Sequence, residues 1–404
     1  MVDLINITLF NPHADDFVST PVSFRLIGRK GLGKYKYLLE APIARGQRVQ
    51  VLVDGTLSSI IDQRVFAGLP RWLRIAILRV EIYFWLRTNN LAGKVDVHWS
   101  ANSILDRTAL YVFSYKNCVG AFDQRKTIIS AFDHAIINLS HYFIRTREKA
   151  GNIAKLSSAT LIADSDLSRN DYFKNFFPNA STMLVLPFAV DDRFRSTRPF
   201  ERRSNKCAAT GSFHDLEKEL PREYYSDFIS FFRSDTYHPV RKLLYSRRAE
   251  LSNWLECRIS PFRELKGSNS LFARLRGFLR LDVLQTEYFS FDIVDFYNQF
   301  RFAIVGEELS GAPAVGFFEA MACGCVMLGA IGSYYDGLGL KAGVHYLEHD
   351  GTVESIHAAI VQASENLEHC AAIASAGRDY VEGNCRSQAV WDSLQARLAQ
   401  LLRR

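Results

Sequence analysis

Short apolar runs at regular intervals, each followed by a turn and a helical segment, constrain this chain more than any other feature. The first half reads "INITLF", "QRVQVLVDG", "KVDVHW", "TALYVFSY", "HAIINLS", "ATLIADS" and "TMLVLPFAV". Between the first two lies "KGLGKYKYLLEAPIARG", a glycine-containing turn and an amphipathic helix ending at Gly46. Apolar runs that alternate with helical patterns are strands of a mostly parallel sheet, because parallel neighbours need a crossover long enough to hold a helix.

A polar stretch, "DDRFRSTRPFERRSNK", breaks the rhythm after Val190 and has the composition of an interdomain linker. The rhythm restarts at "KCAATGSF" and continues through "FDIVDFYNQF", "RFAIVGEE", a helix from Val315 and "VHYLEHDGTVESIHAAIVQASENL". With 404 residues the chain can build two such cores. The expected organisation is α/β, with one domain over 1–195, a second over 196–385 and a final helix over 386–404 packing back on the domains. Val390, Leu394, Leu398 and Leu401 give that helix its apolar face.

Composition narrows the function classes. With 48% hydrophobic and 23% charged residues the chain is globular. Its apolar stretches are broken by Arg or Glu before they could cross a bilayer, and "MVDLINITLF" lacks the basic region and cleavage site of a signal peptide. The expectation is a cytoplasmic protein, free or peripheral on the inner face of the membrane. A net charge of +6 suits an anionic ligand or a membrane surface and is too weak to argue for nucleic acid. Of the seven cysteines, Cys323 and Cys325 flank one glycine in a helix-like segment, where they would point to different sides. They read as small buried thiols and not as metal ligands.

Two tandem α/β domains imply a cleft, and ligands of parallel sheets bind beyond the carboxyl ends of the strands. The stretch "FAIVGEELSGAPAVGFFEAMACGCVMLG" fits such a place: a strand ending near Gly306, a small-residue loop from Glu307 to Gly316, and a helix carrying Glu319 about one turn in. A helix N-terminus favours a phosphate, and a carboxylate one turn further can accept hydrogen bonds from ribose hydroxyls. In "YHPVRKLLYSRR", Arg241 and Lys242 are either phosphate contacts or a solvated helix face.

"GFFEAMACGCVMLG" resembles the donor-binding motif of GT-B glycosyltransferases, the group-1 family in particular. "GLGKYKYLLEAPIARGQRVQVLVDG" is similar to that family's first loop and helix, "MLVLPFAVDDRF" to its entry into the second domain, and "GVHYLEHDGTVESIHAAIVQA" with "GRDYV" to its closing segments. The resemblance implies two Rossmann-like domains facing across a cleft. It also implies hexosyl transfer, with retention, from a UDP-, GDP- or TDP-sugar to a hydroxyl of a glycan or lipid-linked acceptor. The setting would be bacterial O-antigen, capsule or lipopolysaccharide synthesis, with no metal or other cofactor.

On this resemblance Glu319 holds the ribose, Glu307, Gly311, Gly316 and Phe317 belong to the donor loop, and Glu308 and His141 are the catalytic candidates. Gly211, Ser212 and Lys218 follow the first strand of the second domain. Two departures stand out. The family's first acid, eight positions before the ribose Glu, is Gly311 here, and its Arg–Lys pair for the diphosphate is replaced by "TGSFHDLEKE", where Lys218 is the stand-in. His238 and Pro239, followed by Arg241 and Lys242, are similar to the phosphate motif of inverting GT-B enzymes that use CMP-activated acidic sugars of the Kdo or sialic acid type.

In the first domain His141 is a hydrogen-bond donor to a sugar hydroxyl, a base near neutral pH, or a structural histidine. Lys116 and Asn117 form a comparable acceptor-side loop, and Gly31 and Gly33 either let the first loop approach the acceptor or make a tight turn. Asp133 and Asp164 are further carboxylates that nothing in the sequence places. A sugar-nucleotide epimerase or phosphorylase and a non-catalytic binding subunit remain as other readings. Residues 69–87, "LPRWLRIAILRVEIYFWLR", put Arg71, Arg74 and Arg79 on one arc with Trp72, Ile75, Ile82 and Phe84 among the rest. They form either a helix lying in an anionic lipid interface or a core helix with an arginine edge.

Overall fold

The computed structural model describes residues 5–12, 33–54, 70–177, 183–216, 222–261, 291–332 and 334–403. Gly31 and Lys218 lie outside them, as do the side chains of Arg71 and Arg74. The first unit runs β1 (Ile7–Phe10), α1 (Tyr37–Ala44), β2 (Val49–Leu52), α2 (Arg71–Thr88), β3 (Val95–His98) and β4 (Ala109–Phe113). It continues with α3 (Ser114–Asn117), α4 (Phe122–Ile129), β5 (His134–Asn138), α5 (Thr146–Ile153), β6 (Ala159–Ala163), α6 (Asp171–Phe176) and β7 (Leu184–Val185). The second contains β8 (Ser204–Phe213), α7 (Ser226–Phe232), α8 (Pro239–Ser246), β9 (Leu255–Pro261), α9 (Ile293–Asn298), β10 (Phe300–Ile304), α10 (Val315–Ala322), β11 (Val326–Ala330) and β12 (Tyr346–His349). Helices α11 (Val353–Ser364), α12 (Leu367–Asn384) and α13 (Ser387–Leu402) close the chain.

Every pairing between these strands is parallel. The strand orders are β3-β2-β1-β4-β5-β6-β7 and β12-β11-β10-β8-β9. Strands β4, β5 and β10 are buried at every residue, as strands covered by helices on both faces must be. The order reverses between β1 and β4 and again between β8 and β10, and at each reversal the flanking crossovers lie on opposite faces and leave a crevice at the carboxyl ends. Helix α10 stops at Ala322 because Gly324 takes a left-handed φ of +78°. Cys323 therefore caps the helix and Cys325 leads into β11, so the two are not both helical; both thiols are buried.

Helices α1, α2 and α13 share one core with the first sheet, through Leu38, Leu78, Trp85, Trp391 and Leu394 among others. The last helix thus completes the first unit although it follows the second in sequence. A second core crosses between the units: Phe143, Tyr172 and Phe173 meet Tyr225, Phe228 and Tyr237, with the Phe143 and Tyr237 rings 4.0 Å apart. Nearby, Asn170 Nδ2 donates to Ser310 O at 2.7 Å and Arg169 pairs with Asp336 at 2.5 Å. One side of the cleft is closed by these contacts.

Candidate functional site

In the second sheet a buried side chain spans the crevice between β8 and β10. Arg241, on α8, donates from Nε to Gly306 O at 2.8 Å and from Nη1 to Ser212 O at 2.7 Å. Gly211, with φ +121°, lets the guanidinium approach, since a Cβ there would sit 3.1 Å from Arg241 Nε. Lys242 turns outward instead and pairs with Asp235 at 2.6 Å, so the adjacent basic residues do not act together. His238 stands at the N-cap position of α8 without a side-chain capping bond and is buried, and its Nδ1 has no partner among the described residues. Burial first, then the nearby Arg241, hold its imidazole well below the usual pKa, so the ring is neutral.

The loop after β10 carries two acids with different surroundings. Glu307 is buried, and its Oε1 accepts from the Tyr335 hydroxyl and from Ala330 N–H at 2.9 Å, tying the loop to β11. Its Oε2 is buried without a partner among the described residues. Glu308 accepts hydrogen bonds from the Tyr142 hydroxyl at 2.9 Å and from the Tyr237 hydroxyl, one tyrosine from each unit. Burial raises its pKa, and the two hydroxyls together with the charges of Lys34 and Arg241 oppose that rise. At Gly311 φ is +82° and a Cβ would lie 3.1 Å from Tyr334 Cε2. That is a physical reason for a glycine where the resembled family has an acid. Gly311→Ala is expected to cost about 1–2 kcal/mol, read as a lower denaturant midpoint at unchanged slope.

Two residues expected at the ligand are packing residues. Phe317 is fully buried and stacks on Tyr335 with centroids 4.5 Å apart. Gly316 lets α10 press on the chain just past β10, where a Cβ would be 3.2 Å from Val305 Cγ1. Glu319 differs from both: it is partly exposed, and among the described residues its carboxylate accepts no hydrogen bond. Burial pushes its pKa up to about 7, opposed by Arg193 and reinforced by Asp191. These two residues belong to the segment leading from β7 to β8, where Asp191 also pairs with Lys36 at 3.1 Å.

The first unit brings more to the same place. Lys34 follows Gly33 in the turn Gly33–Tyr35, pairs with Asp164 at 3.3 Å and lies 4.6 Å over the Phe188 ring. Phe188 in turn packs edge-on against Phe318, the neighbour of Glu319, with ring centroids 5.9 Å apart. Burial raises the pKa of Asp164, and Lys34 opposes it. His141, beyond β5, is partly exposed and has φ +46°, while its carbonyl accepts from the buried Lys149 at 2.6 Å. A non-glycine residue held in the left-handed region marks a constrained place, as at many functional sites. Lys116 is partly exposed, 5.6 Å from the Tyr115 ring centroid.

Asn117, expected on the acceptor side, is fully buried. It accepts from Asn11 Nδ2 at 3.0 Å and donates to Phe113 O at 2.9 Å, tying the ends of β1 and β4 together. Asp133 stands before the first residue of β5, at the opposite end of the sheet from the cleft. The sequence reading did not single out Lys34, Tyr142, Tyr237 or Arg193. Only Lys34, next to Gly33 in "GLGK", had a local signal. Among the described residues no group of three or more His, Cys, Asp and Glu side chains is arranged to hold a metal ion.

No family model matches the sequence, and no curated protein sequence matches it. Solved structures do match along the whole length. Sucrose-phosphate synthase from Thermosynechococcus elongatus superposes with a TM-score of 0.55 at 13% identity, over 99% of both chains. The Anabaena protein HepE in complex with UDP gives 0.52 at 11% identity, over 98% of this chain and 100% of its own. Trehalose-6-phosphate synthase OtsA gives 0.51 at 12% identity, over 98% of this chain and 99% of its own. The class this defines is a fold class: with two parallel α/β sheets facing across a cleft, the chain has the GT-B fold.

Proposed function

We propose that the protein is a glycosyltransferase that moves a sugar from a nucleotide-sugar to a hydroxyl of a glycan or lipid-linked acceptor. The observation that carries this reading is Glu319, a partly exposed carboxylate with no protein hydrogen-bond partner among the described residues, one turn into a helix beyond the β8/β10 crevice. As a carboxylate it accepts two ribose hydroxyl hydrogen bonds. The N-termini of α8 and α10 favour the phosphates, and Lys34 and the Arg241 brace add positive charge around them. Catalysis is then positioning plus stabilisation of the leaving phosphate, with His141 on the acceptor side. Retention of configuration and a role in surface polysaccharide synthesis follow from the sequence resemblance. A UDP-sugar is the first donor to try, because HepE, of the same fold, was crystallised with UDP.

A second donor class has an observation of its own. His238, whose buried Nδ1 at the N-terminus of α8 has no partner among the described residues, favours a CMP-activated acidic sugar. Thermal shift against UDP, GDP, TDP and CMP separates the two, since a ligand of the native state raises Tm. A rise with UDP, GDP or TDP supports the first reading, a rise with CMP alone that is lost in His238→Ala supports the second, and no rise with any of them rejects both. Because the ribose needs a carboxylate and the free carboxyl titrates at about 7, nucleotide affinity is expected to rise about tenfold from pH 6 to pH 8. Glu319→Gln should flatten that profile in isothermal titration.

A further inference from the structure

Helix α2 buries one face and exposes much of the other. Leu78, Ile82 and Trp85 enter the first core, so Ile82, grouped by the sequence pattern with the lipid-facing residues, is a core residue. On the outer side Trp72, Val80, Tyr83 and Phe84 are 69%, 54%, 54% and 48% exposed. Ala76, Arg79 and Arg87 are exposed with them. Positions recurring every three or four residues form one line on a helix, here about 22 Å long. Apolar residues scattered singly over a surface need no partner, whereas a line of apolar and aromatic residues interleaved with cations is a surface for one.

We propose that this face rests on an anionic bilayer surface. The charge complementarity is specific: Arg79 stacks 5.1 Å from the Trp99 ring centroid and Arg87 5.4 Å from that of Tyr83. Neither guanidinium pairs with a carboxylate among the described residues. At a lipid interface the rings meet the acyl boundary and the guanidinium groups meet phosphates. No described helix is long and apolar enough to cross a membrane, so α2 lies along the surface. A second copy of the chain fits less well, because a two-fold contact through this stripe would bring the same arginines together.

Topology fixes the orientation. Helix α2 connects β2 to its parallel neighbour β3, so it runs back along the sheet and begins at the carboxyl end of the strands. Trp72 therefore sits at the cleft end of the stripe. A membrane under α2 would present acceptors to the cleft from that end. The docking surface does not depend on the transferase reading, and it is tested separately.

The test is flotation of the full chain with vesicles of phosphatidylcholine alone and with added phosphatidylglycerol. Wild type is expected to float with the anionic vesicles only and to be released by salt. R79E/R87E should weaken binding about tenfold or more, and Val80→Asp should weaken it with both arginines in place. The melting curve and any nucleotide-induced shift of these variants should match wild type, which shows that the fold and the cleft are intact. Equal flotation of wild type and variants, or none by wild type, overturns the proposal. A wild-type dimer dissolved by Val80→Asp would assign the face to a second copy instead.

Discussion

Glu319→Ala is expected to abolish the nucleotide-induced rise in Tm while the protein stays folded. Hydrogen bonds to a charged acceptor contribute about 1.5–3 kcal/mol each, so losing one weakens nucleotide binding by about tenfold to a hundredfold, and losing both by more. Transfer activity should fall at least as far. Stability should respond in the opposite sense. Glu319 has a folded pKa of about 7 against 4.5 for the ordinary group. A raised folded pKa stabilises fully below the unfolded value, and that contribution is lost as pH rises through the folded one. Above pH 7 the wild type therefore holds a partly buried charge that accepts no hydrogen bond among the described residues, and Glu319→Ala should melt no lower than wild type there. A variant that binds nucleotide as tightly as wild type would remove the ribose role, while one that no longer folds would make Glu319 a structural residue.

The place of Glu319 was legible because its surroundings are local: a strand, a small-residue loop and an acid one turn into a helix stand within one stretch of sequence. Gly311 was legible only as a departure. Its reason, a left-handed φ facing Tyr334, depends on a loop geometry that pattern does not encode. Phe317 adjoins the motif but turns into the core, since only part of a helix can face a cleft. Arg241 and Lys242 read as a pair, yet neighbours on a helix point about 100° apart, and one braces the crevice while the other meets Asp235. The Glu308 clasp could not be read at all. Tyr142 and Tyr237 reach it from different units, and their meeting depends on how the two sheets face each other.

Removal of residues 387–404 is expected to unfold the first unit and leave the second one's transition in place. Val390, Trp391, Leu394 and Leu398 are at most 4% exposed and lie in the core built on the first sheet. Burying each contributes about 1.5–3 kcal/mol, so the sum is comparable to the entire stability of a domain. Polar contacts fix the helix in register: Gln395 accepts from Ile5 N–H at 2.8 Å and donates to Ile5 O at 3.0 Å, and Arg45 pairs with Asp392. The single substitution Trp391→Ala tests the same point more gently. It should cost about 3–5 kcal/mol and lower one calorimetric transition by about 10 °C or more. An unchanged melting profile in both variants would mean that α13 is only appended. The effect on the cleft should be limited, because Arg386, just before α13 and outside the removed residues, donates to the carbonyls of Asp191 and Phe194. Arg386 stays in the truncated chain and is itself paired with Glu382 of α12, so the segment holding Asp191 and Arg193 keeps that anchor. A nucleotide site on Glu319 should weaken only through loss of the first unit's own contact there, the Lys36–Asp191 pair.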